Sequence, residues 1–300
     1  MTENDHAEPM DSEDGGIDIG ILTKGKATLG MVLASLLLQE TVTVRIYVVD
    51  TSERPVINRE DVRFALRLAG DRGILCHYDF AGESDLAFSA GKRRLIQALP
   101  GRHLCLMDDD VVMPSVALKN LVATAQNQGT YGYISPICKN SPNLDAGPAN
   151  RPQYSPGSLI YQDELVHRVL LAYYETTVDV LDKRKSDQKV WETAFLTALF
   201  EVLNRTCLRQ EDTITYHLDY KEDKHWIDEE RTVVARSRLV ARELVERVRS
   251  GTVQQAPVIS TSTVVARPAP ISGGRAGRAA PSASAPERSW HALCLFFSAR

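Results

Sequence analysis

Residues 104–114 read LCLMDDDVVMP, in which an apolar run is followed at once by three aspartates and, after three more residues, by a proline. The run is short and bulky, as in a buried strand, and we predict a strand over 103–107. Three adjacent carboxylates repel one another, so folding alone gives little reason to place them there. In an open α/β sheet, ligands bind beyond the carboxyl ends of the strands. We therefore expect the aspartates to face a ligand.

The acidic cluster itself, Asp108, Asp109 and Asp110, suits a hard divalent cation. Two of three such carboxylates can hold Mg²⁺ or Mn²⁺, because these ions prefer oxygen ligands. The ion would bridge to a diphosphate and offset its charge as it leaves. Aspartate is also favoured in solvated turns and at helix N-termini. A magnesium-dependent phosphotransferase or a receiver-type domain would use similar acids, so these alternatives stay open.

The sequence on both sides of the cluster alternates between strand and helix patterns. We predict strands over 17–22, 44–49, 73–80 and 130–137, and helices over 28–39, 60–69, 84–99 and 114–126. Such alternation indicates an α/β fold with a Rossmann-like, mostly parallel sheet flanked by helices on both faces.

The second half of the chain has a different pattern. Residues 138–157 are rich in Asn, Pro, Gly and Ser and predict a long loop. Beyond it we predict helices over 163–182, 189–203 and 224–250 and a strand over 213–217. Both ends predict disorder: residues 1–16 hold six acids and no Lys or Arg, and residues 251–300 hold five prolines, five arginines and one acid. The folded domain would cover 17–250.

The composition excludes several classes of protein. The net charge of −4 and the pI of about 6.0 give no overall basic field, so we expect no nucleic-acid partner. The longest apolar run, 31–38, is far shorter than the roughly 20 residues of a membrane-spanning helix, and we expect no transmembrane segment. Five scattered cysteines fit a reducing cytoplasm better than a disulfide framework.

Several segments, taken in order and spacing, resemble the family 2 glycosyltransferases, which have the GT-A fold. The segments are the opening strand 17–22 with Thr23, ASLLLQ at 34–39, YVVDTS at 47–52, AGKR at 90–93 and LMDDDVVMP at 106–114. Together they lie within residues 17–137, which the resemblance makes the nucleotide-sugar-binding half; 138–250 would bind the acceptor. The chain departs from the family at 24–26, Lys-Gly-Lys, where an aromatic residue and Asn are more usual.

The resemblance implies roles for residues of the first half. Asp50 would contact the nucleobase or ribose of the donor, and Thr23 would line the same pocket. Lys92 or Arg93 would face the diphosphate, although both also suit the polar face of a surface helix. Asp108 and Asp110 would form a D-x-D arrangement around Asp109. Which of the three acids binds the metal directly stays open.

In the acceptor half, an inverting enzyme needs a base for the acceptor hydroxyl. Glu192 opens an apolar helix at the place where the family has this acid, although a first-turn glutamate also simply favours the helix dipole. Asp187 and Glu175 are further candidates, and the preceding Trp191 could stack on a sugar. His217 could be an additional metal ligand; a structural histidine is the alternative, and His225-Trp226 competes for the role.

The leading hypothesis is therefore transfer of a sugar from a nucleoside diphosphate sugar to an acceptor hydroxyl or amine, dependent on Mn²⁺ or Mg²⁺ and with inversion. The acceptor could be a polysaccharide, a lipid-linked molecule or a small natural product. Two other hypotheses remain: a sugar-phosphate nucleotidyltransferase, and a non-catalytic nucleotide- or sugar-binding protein on a GT-A scaffold. The intact acidic cluster argues against the last.

Overall fold

The computed structural model describes residues 16–40, 42–82, 88–140, 154–182, 192–218, 226–252 and 264–265. The strands are β1 (Ile17–Thr23), β2 (Val44–Asp50), β3 (Leu75–Phe80), β4 (His103–Asp108), β5 (Val111–Val112), β6 (Tyr133–Asn140), β7 (Leu159–Tyr161), β8 (Leu208–His217) and β9 (Val264–Val265). The helices are α1 (Leu29–Leu37), α2 (Glu60–Asp71), α3 (Phe88–Ala98), α4 (Ala117–Gln126), α5 (Glu164–Asp182), α6 (Glu192–Val202) and α7 (Trp226–Arg249). A 3₁₀ turn covers Val56–Asn58.

These strands form one sheet in the order β5-β8-β6-β7-β4-β1-β2-β3-β9. β1 to β4, β6 and β8 run in the same direction, and β5, β7 and β9 pair antiparallel to their neighbours. In register, Leu22 of β1 lies beside Asp108 of β4, and Thr23 lies beside Asp50 of β2. The mostly parallel sheet flanked by helices confirms the predicted fold class. The register brings Thr23, Asp50 and Asp108 to one edge.

Two apolar layers cover the two faces of the sheet. Alternate β1 side chains, beginning with Ile17, pack with α1, α2 and α4, while Leu22 belongs to the layer formed with α3, α5, α6 and α7. All seven β1 residues are buried, as expected for a central strand with helices on both sides. The buried Asp18 carboxylate accepts a hydrogen bond from Arg45 at 2.6 Å and another from the Gly101 N–H at 2.7 Å. These contacts offset its desolvation.

A glycine lets α3 lie close to β1. A Cβ atom built on Gly91 would be 2.4 Å from Leu22 Cδ1, so a larger residue would push the helix away from the sheet. The next residue, Lys92, is consequently held in the interior, where its side chain is 2% exposed. The small residue at 91 thus positions a cation beneath the carboxyl end of the sheet.

The structure adds strands that the sequence patterns did not predict. β5 and β7 are three residues long or shorter, and β8 begins five residues before the predicted 213–217. β6 continues to Asn140, into the predicted loop 138–157, and residues 141–153 lie outside the described part. β9 pairs with β3 within the stretch predicted as a disordered tail. Otherwise the predicted disorder falls on residues that the structure does not describe, apart from Gly16 and 251–252. Among described helices, none is long and apolar enough to cross a membrane.

Candidate active site

The acidic cluster lies where β4 ends and the chain turns into β5. β5 pairs with the end of β8, with Val111 opposite His217, and the Leu218 N–H donates to the Asp110 carbonyl at 2.8 Å. This pairing places His217 Nε2 3.0 Å from Asp110 Oδ1. The short strand β5 therefore joins the predicted metal residues from two distant parts of the sequence.

Three side chains of this cluster fit a divalent cation. One ligand atom each from Asp108, Asp110 and His217 can be chosen so that all lie within 4.8 Å of one another. Asp110 Oδ1 is buried, and the His217 imidazole lies beside it. Carboxylate oxygens and a neutral imidazole nitrogen gathered at one point are a ligand set that a divalent cation can use. Two carboxylates and an imidazole suit Mn²⁺, and Mg²⁺ through the oxygens.

The pKa values of Asp108, Asp110 and His217 are each shifted by burial and by the neighbouring charges. Burial by itself raises the pKa of Asp110, but His217 and Lys26 outweigh it and hold that pKa below its usual value. Burial lowers the pKa of His217, but the neighbouring carboxylates, Asp110 foremost, outweigh it and raise the pKa. Burial raises the pKa of Asp108; Lys92 opposes this shift, and the nearby carboxylates add to it. Asp110 is consequently ionised, with the Lys26 ammonium and the His217 imidazole next to its carboxylate.

The loop between β1 and α1 closes one side of the cluster. Thr23 Oγ1 donates to Asp109 Oδ2 at 2.6 Å, and Thr28 Oγ1 donates to the Asp109 carbonyl at 2.7 Å. Lys26 Nζ donates to Asp110 Oδ2. Asp109 thus faces this loop, whereas Asp108 and Asp110 lie together with His217.

A buried ion-pair network connects the cluster to Glu192 at the start of α6. Lys92 Nζ lies 3.3 Å from Glu192 Oε1 and 4.0 Å from Asp108 Oδ1. The Tyr174 hydroxyl of α5 also donates to Glu192 Oε1. Burial lowers the pKa of Lys92, but the charges of Glu192 and Asp108 outweigh it and raise the pKa, so Lys92 is a charged ammonium. Glu192 is held beside the acidic cluster, as the base hypothesis requires.

Asp50 and Arg93, two other residues predicted to bind the sugar-nucleotide donor, have partners within the protein. Asp50 is fully buried, and its carboxylate accepts hydrogen bonds from the Ser52 N–H at 2.9 Å, the Val56 N–H at 2.8 Å and the Tyr78 hydroxyl. Arg93 lies 3.3 Å from Glu175, one of the alternative bases, at a more exposed position. Asp50 therefore shapes the loop after β2, and its contact with a nucleotide stays a prediction, as does that of Arg93 with a diphosphate.

The loop that Asp50 shapes borders a cavity of about 550 Å³. Its lining residues come from the β1–α1 loop, at Lys24 and Gly25, and from residues 52–59. Ser52 and Val56, whose N–H groups hold Asp50, both line it. The cavity lies beside the acidic cluster along the carboxyl edge of the sheet, where ligands of open α/β sheets bind.

Asp187, Trp191 and His225 lie outside the described residues. Tyr174 was not predicted, because a tyrosine within a long helix carries no local signal. Lys26 was noted only as a departure from the family pattern; its place just beyond β1 could have indicated a contact with residues just beyond β4, the neighbouring strand.

The chain resembles solved glycosyltransferase structures. One is the mannosyltransferase PcManGT from Pyrobaculum calidifontis in complex with GDP-Man and Mn²⁺: TM-score 0.51, 10% identity, covering 82% of this chain and 77% of that one. Another is residues 1–349 of S. aureus TarS in complex with UDP-GlcNAc: TM-score 0.47, 12% identity, covering 78% and 73%. No protein-family model and no curated protein sequence matches. The chain therefore shares the fold of the mannosyltransferase.

Proposed function

We propose that this protein is a metal-dependent glycosyltransferase of the family 2 type, which transfers a sugar with inversion from a nucleoside diphosphate sugar to an acceptor hydroxyl or amine. The observation that carries the proposal is the meeting of Asp108, Asp110 and His217 with Glu192 at the carboxyl edge of the sheet. The shared fold supports it, because the mannosyltransferase was solved with GDP-Man and Mn²⁺.

The donor would lie along this edge. Its nucleoside fits the cavity beside Asp50 and the β1–α1 loop, with Thr23 at the boundary to the cluster. Asp108, Asp110 and His217 would hold Mn²⁺ or Mg²⁺, which when bound offsets the negative charge of the leaving diphosphate. Asp109 supports this arrangement by fixing the β1–α1 loop through Thr23 and Thr28.

Glu192 would act as the base. Its carboxylate removes the proton from the acceptor hydroxyl or amine while the new bond forms at the anomeric carbon and the bond to the diphosphate oxygen breaks. Attack on the face opposite the diphosphate inverts the configuration. Lys92 and Tyr174 orient Glu192, because both contact its Oε1.

The compartment and the acceptor are also proposals. The four described cysteines Cys76, Cys105, Cys138 and Cys207 are unpaired, which supports a reducing cytoplasm. A polysaccharide, a lipid-linked molecule or a small natural product would each offer a hydroxyl to Glu192.

The proposal is tested by measuring thermal stability with UDP-, GDP- and dTDP-sugars and their diphosphates, with Mn²⁺, with Mg²⁺ and with a chelator. We expect one nucleotide family to stabilise the protein only with metal, and Asp108→Asn and Asp110→Asn to remove the effect. Asp71→Asn, an exposed acid at the end of α2, is the matched control.

A transfer assay with the stabilising donor then separates the hypotheses. Release of the nucleoside diphosphate supports the glycosyltransferase. Formation of pyrophosphate from a nucleoside triphosphate and a sugar phosphate would instead identify a nucleotidyltransferase. Metal-dependent binding with no turnover of any kind would identify a binding protein, and no response to any nucleotide would reject the proposal.

A further inference from the structure

The β1–α1 loop delivers an ammonium group to the acidic cluster. Lys26 Nζ donates to Asp110 Oδ2, and the Asp110 side chain is 2% exposed whereas that of Lys26 is 42% exposed. The pair therefore joins a buried anion to a cation that reaches it from the solvent side. Attraction to a buried carboxylate is screened less than a surface ion pair.

The loop is held in this conformation by contacts on two sides. The Arg59 guanidinium donates to the carbonyls of Gly25 at 3.3 Å, Lys26 at 2.5 Å and Ala27 at 2.7 Å. On the other side the Gly25 N–H donates to Thr23 Oγ1 at 3.0 Å. Gly25 has φ of +91°, a region that glycine adopts without strain. The approach of Lys26 to Asp110 is thus a built feature of the loop.

Lys92 and Arg93, the two cations predicted from the sequence to face the diphosphate, contact other groups of the protein in the structure. Lys92 is 2% exposed and lies between Glu192 and Asp108, below the cluster. Arg93 faces Glu175. Lys26, in contrast, lies on the same loop as Lys24 and Gly25, which line the cavity proposed for the nucleoside. It follows these two residues directly in the chain, and its ammonium contacts Asp110 of the candidate metal site.

We infer that Lys26 binds the diphosphate of the donor, and that Asp110 holds its ammonium until a divalent ion takes that carboxylate. This inference rests on the proposed function, since it assumes a nucleoside diphosphate at the cluster. An ion bound by Asp110 competes with Lys26 for the charge of the same carboxylate, whose Oδ2 Lys26 contacts. A diphosphate bound to that ion would bring phosphate oxygens close to the displaced Lys26 ammonium. The flexible four-carbon side chain of Lys26 lets the ammonium move from Asp110 to these oxygens.

The inference gives Lys26→Met two effects of opposite sign. Mn²⁺ alone should bind about tenfold more tightly, because the competing charged hydrogen bond is gone. GDP or UDP at saturating Mn²⁺, whichever binds the unmodified protein, should bind about tenfold more weakly, because a phosphate contact is lost. Isothermal titration calorimetry measures both. Lys26→Arg should keep nucleotide affinity within about threefold, because the positive charge remains.

The matched control is Lys119→Met, which removes an exposed lysine of α4 and should change neither affinity. Unchanged or weaker Mn²⁺ binding by Lys26→Met would overturn the competition at Asp110, and unchanged nucleotide binding would overturn the diphosphate contact. If the unmodified protein binds Mn²⁺ but no nucleotide, the proposed function and the diphosphate contact both fail, and the Mn²⁺ titrations still decide the competition. If it binds neither, both proposals are rejected.

Discussion

At the scale of single residues, Glu192 is held by two partners on one carboxylate oxygen. Its Oε1 receives both the Tyr174 hydroxyl and the Lys92 ammonium, and the side chain is 14% exposed. Both partners are themselves buried. They also fix the direction of the carboxylate, which matters because proton transfer requires alignment with the acceptor.

Tyr174→Phe should therefore lower kcat without a comparable change in the KM for the donor. The substitution removes one charge-assisted hydrogen bond and leaves the ring packing in place, so we expect kcat to fall about 10- to 100-fold. Steady-state kinetics of sugar transfer measure the change.

Tyr131→Phe serves as the control for a lost buried tyrosine hydroxyl. Tyr131 lies 2.8 Å from His103 Nδ1, at the opposite end of β4 from Asp108. This variant should lower the melting temperature and leave kcat unchanged. Equal kcat losses in the two variants would mean that Tyr174 acts only through general stability.

At the scale of secondary-structure elements, the contact between α3 and β1 supports the site from below. Gly91→Ala should destabilise the protein by about 1–3 kcal/mol, because the added methyl group meets the Leu22 side chain. Leu22→Ala alone should cost about 2–5 kcal/mol by leaving a cavity.

Urea unfolding of the two single variants and the double variant tests this packing. We expect the double variant to lose less than the sum of the single losses, by about 0.5–3 kcal/mol, since the new methyl group fills part of the cavity. Strictly additive losses would show that Gly91 and Leu22 do not share this contact.

The elements that sequence predicted well are those whose signal is local. β1, β2 and β4 are short stretches rich in apolar residues and mostly buried, and their patterns are sufficient to place them. β5 and β7 were missed because two or three residues carry no periodicity. They become strands only through pairing with β8, β4 and β6, which is a property of the tertiary structure.

The site residues also divide into those with a local sequence signal and those whose contacts depend on the tertiary structure. Asp108 and Asp110 could be identified because they follow an apolar strand directly. Glu192 and His217 were placed through resemblance to a family, and the structure brings both to the cluster. The contact of Tyr174 could not be predicted, since it depends on how α5 packs against a partner 18 residues away. The position of Lys26 just beyond β1 could indicate the region of its partner, 84 residues away, but not the contact with Asp110 itself.

At the scale of the whole molecule, the candidate metal site joins the two halves of the chain. Asp108 and Asp110 belong to the first half and His217 to the second. Mn²⁺ at 100 times its dissociation constant should add about 2.7 kcal/mol to the free energy of unfolding. For a domain of this size the melting temperature should rise by about 5–10 °C.

Differential scanning calorimetry with Mn²⁺ and with excess chelator measures this rise. His217→Ala should remove most of it, because one of three ligands is lost. A rise of equal size in Asp110→Asn would place the metal elsewhere in the protein.

The pairing of β5 with β8 also sets the order in which a growing chain can form the candidate metal site. During synthesis both aspartates emerge about a hundred residues before His217. β8 must then insert between β5 and β6 before the histidine reaches them. A nascent chain therefore cannot assemble the three-ligand site, and full affinity for the ion arises only once the far edge of the sheet is closed. Metal affinity would thus report that β8 has taken its place in the sheet.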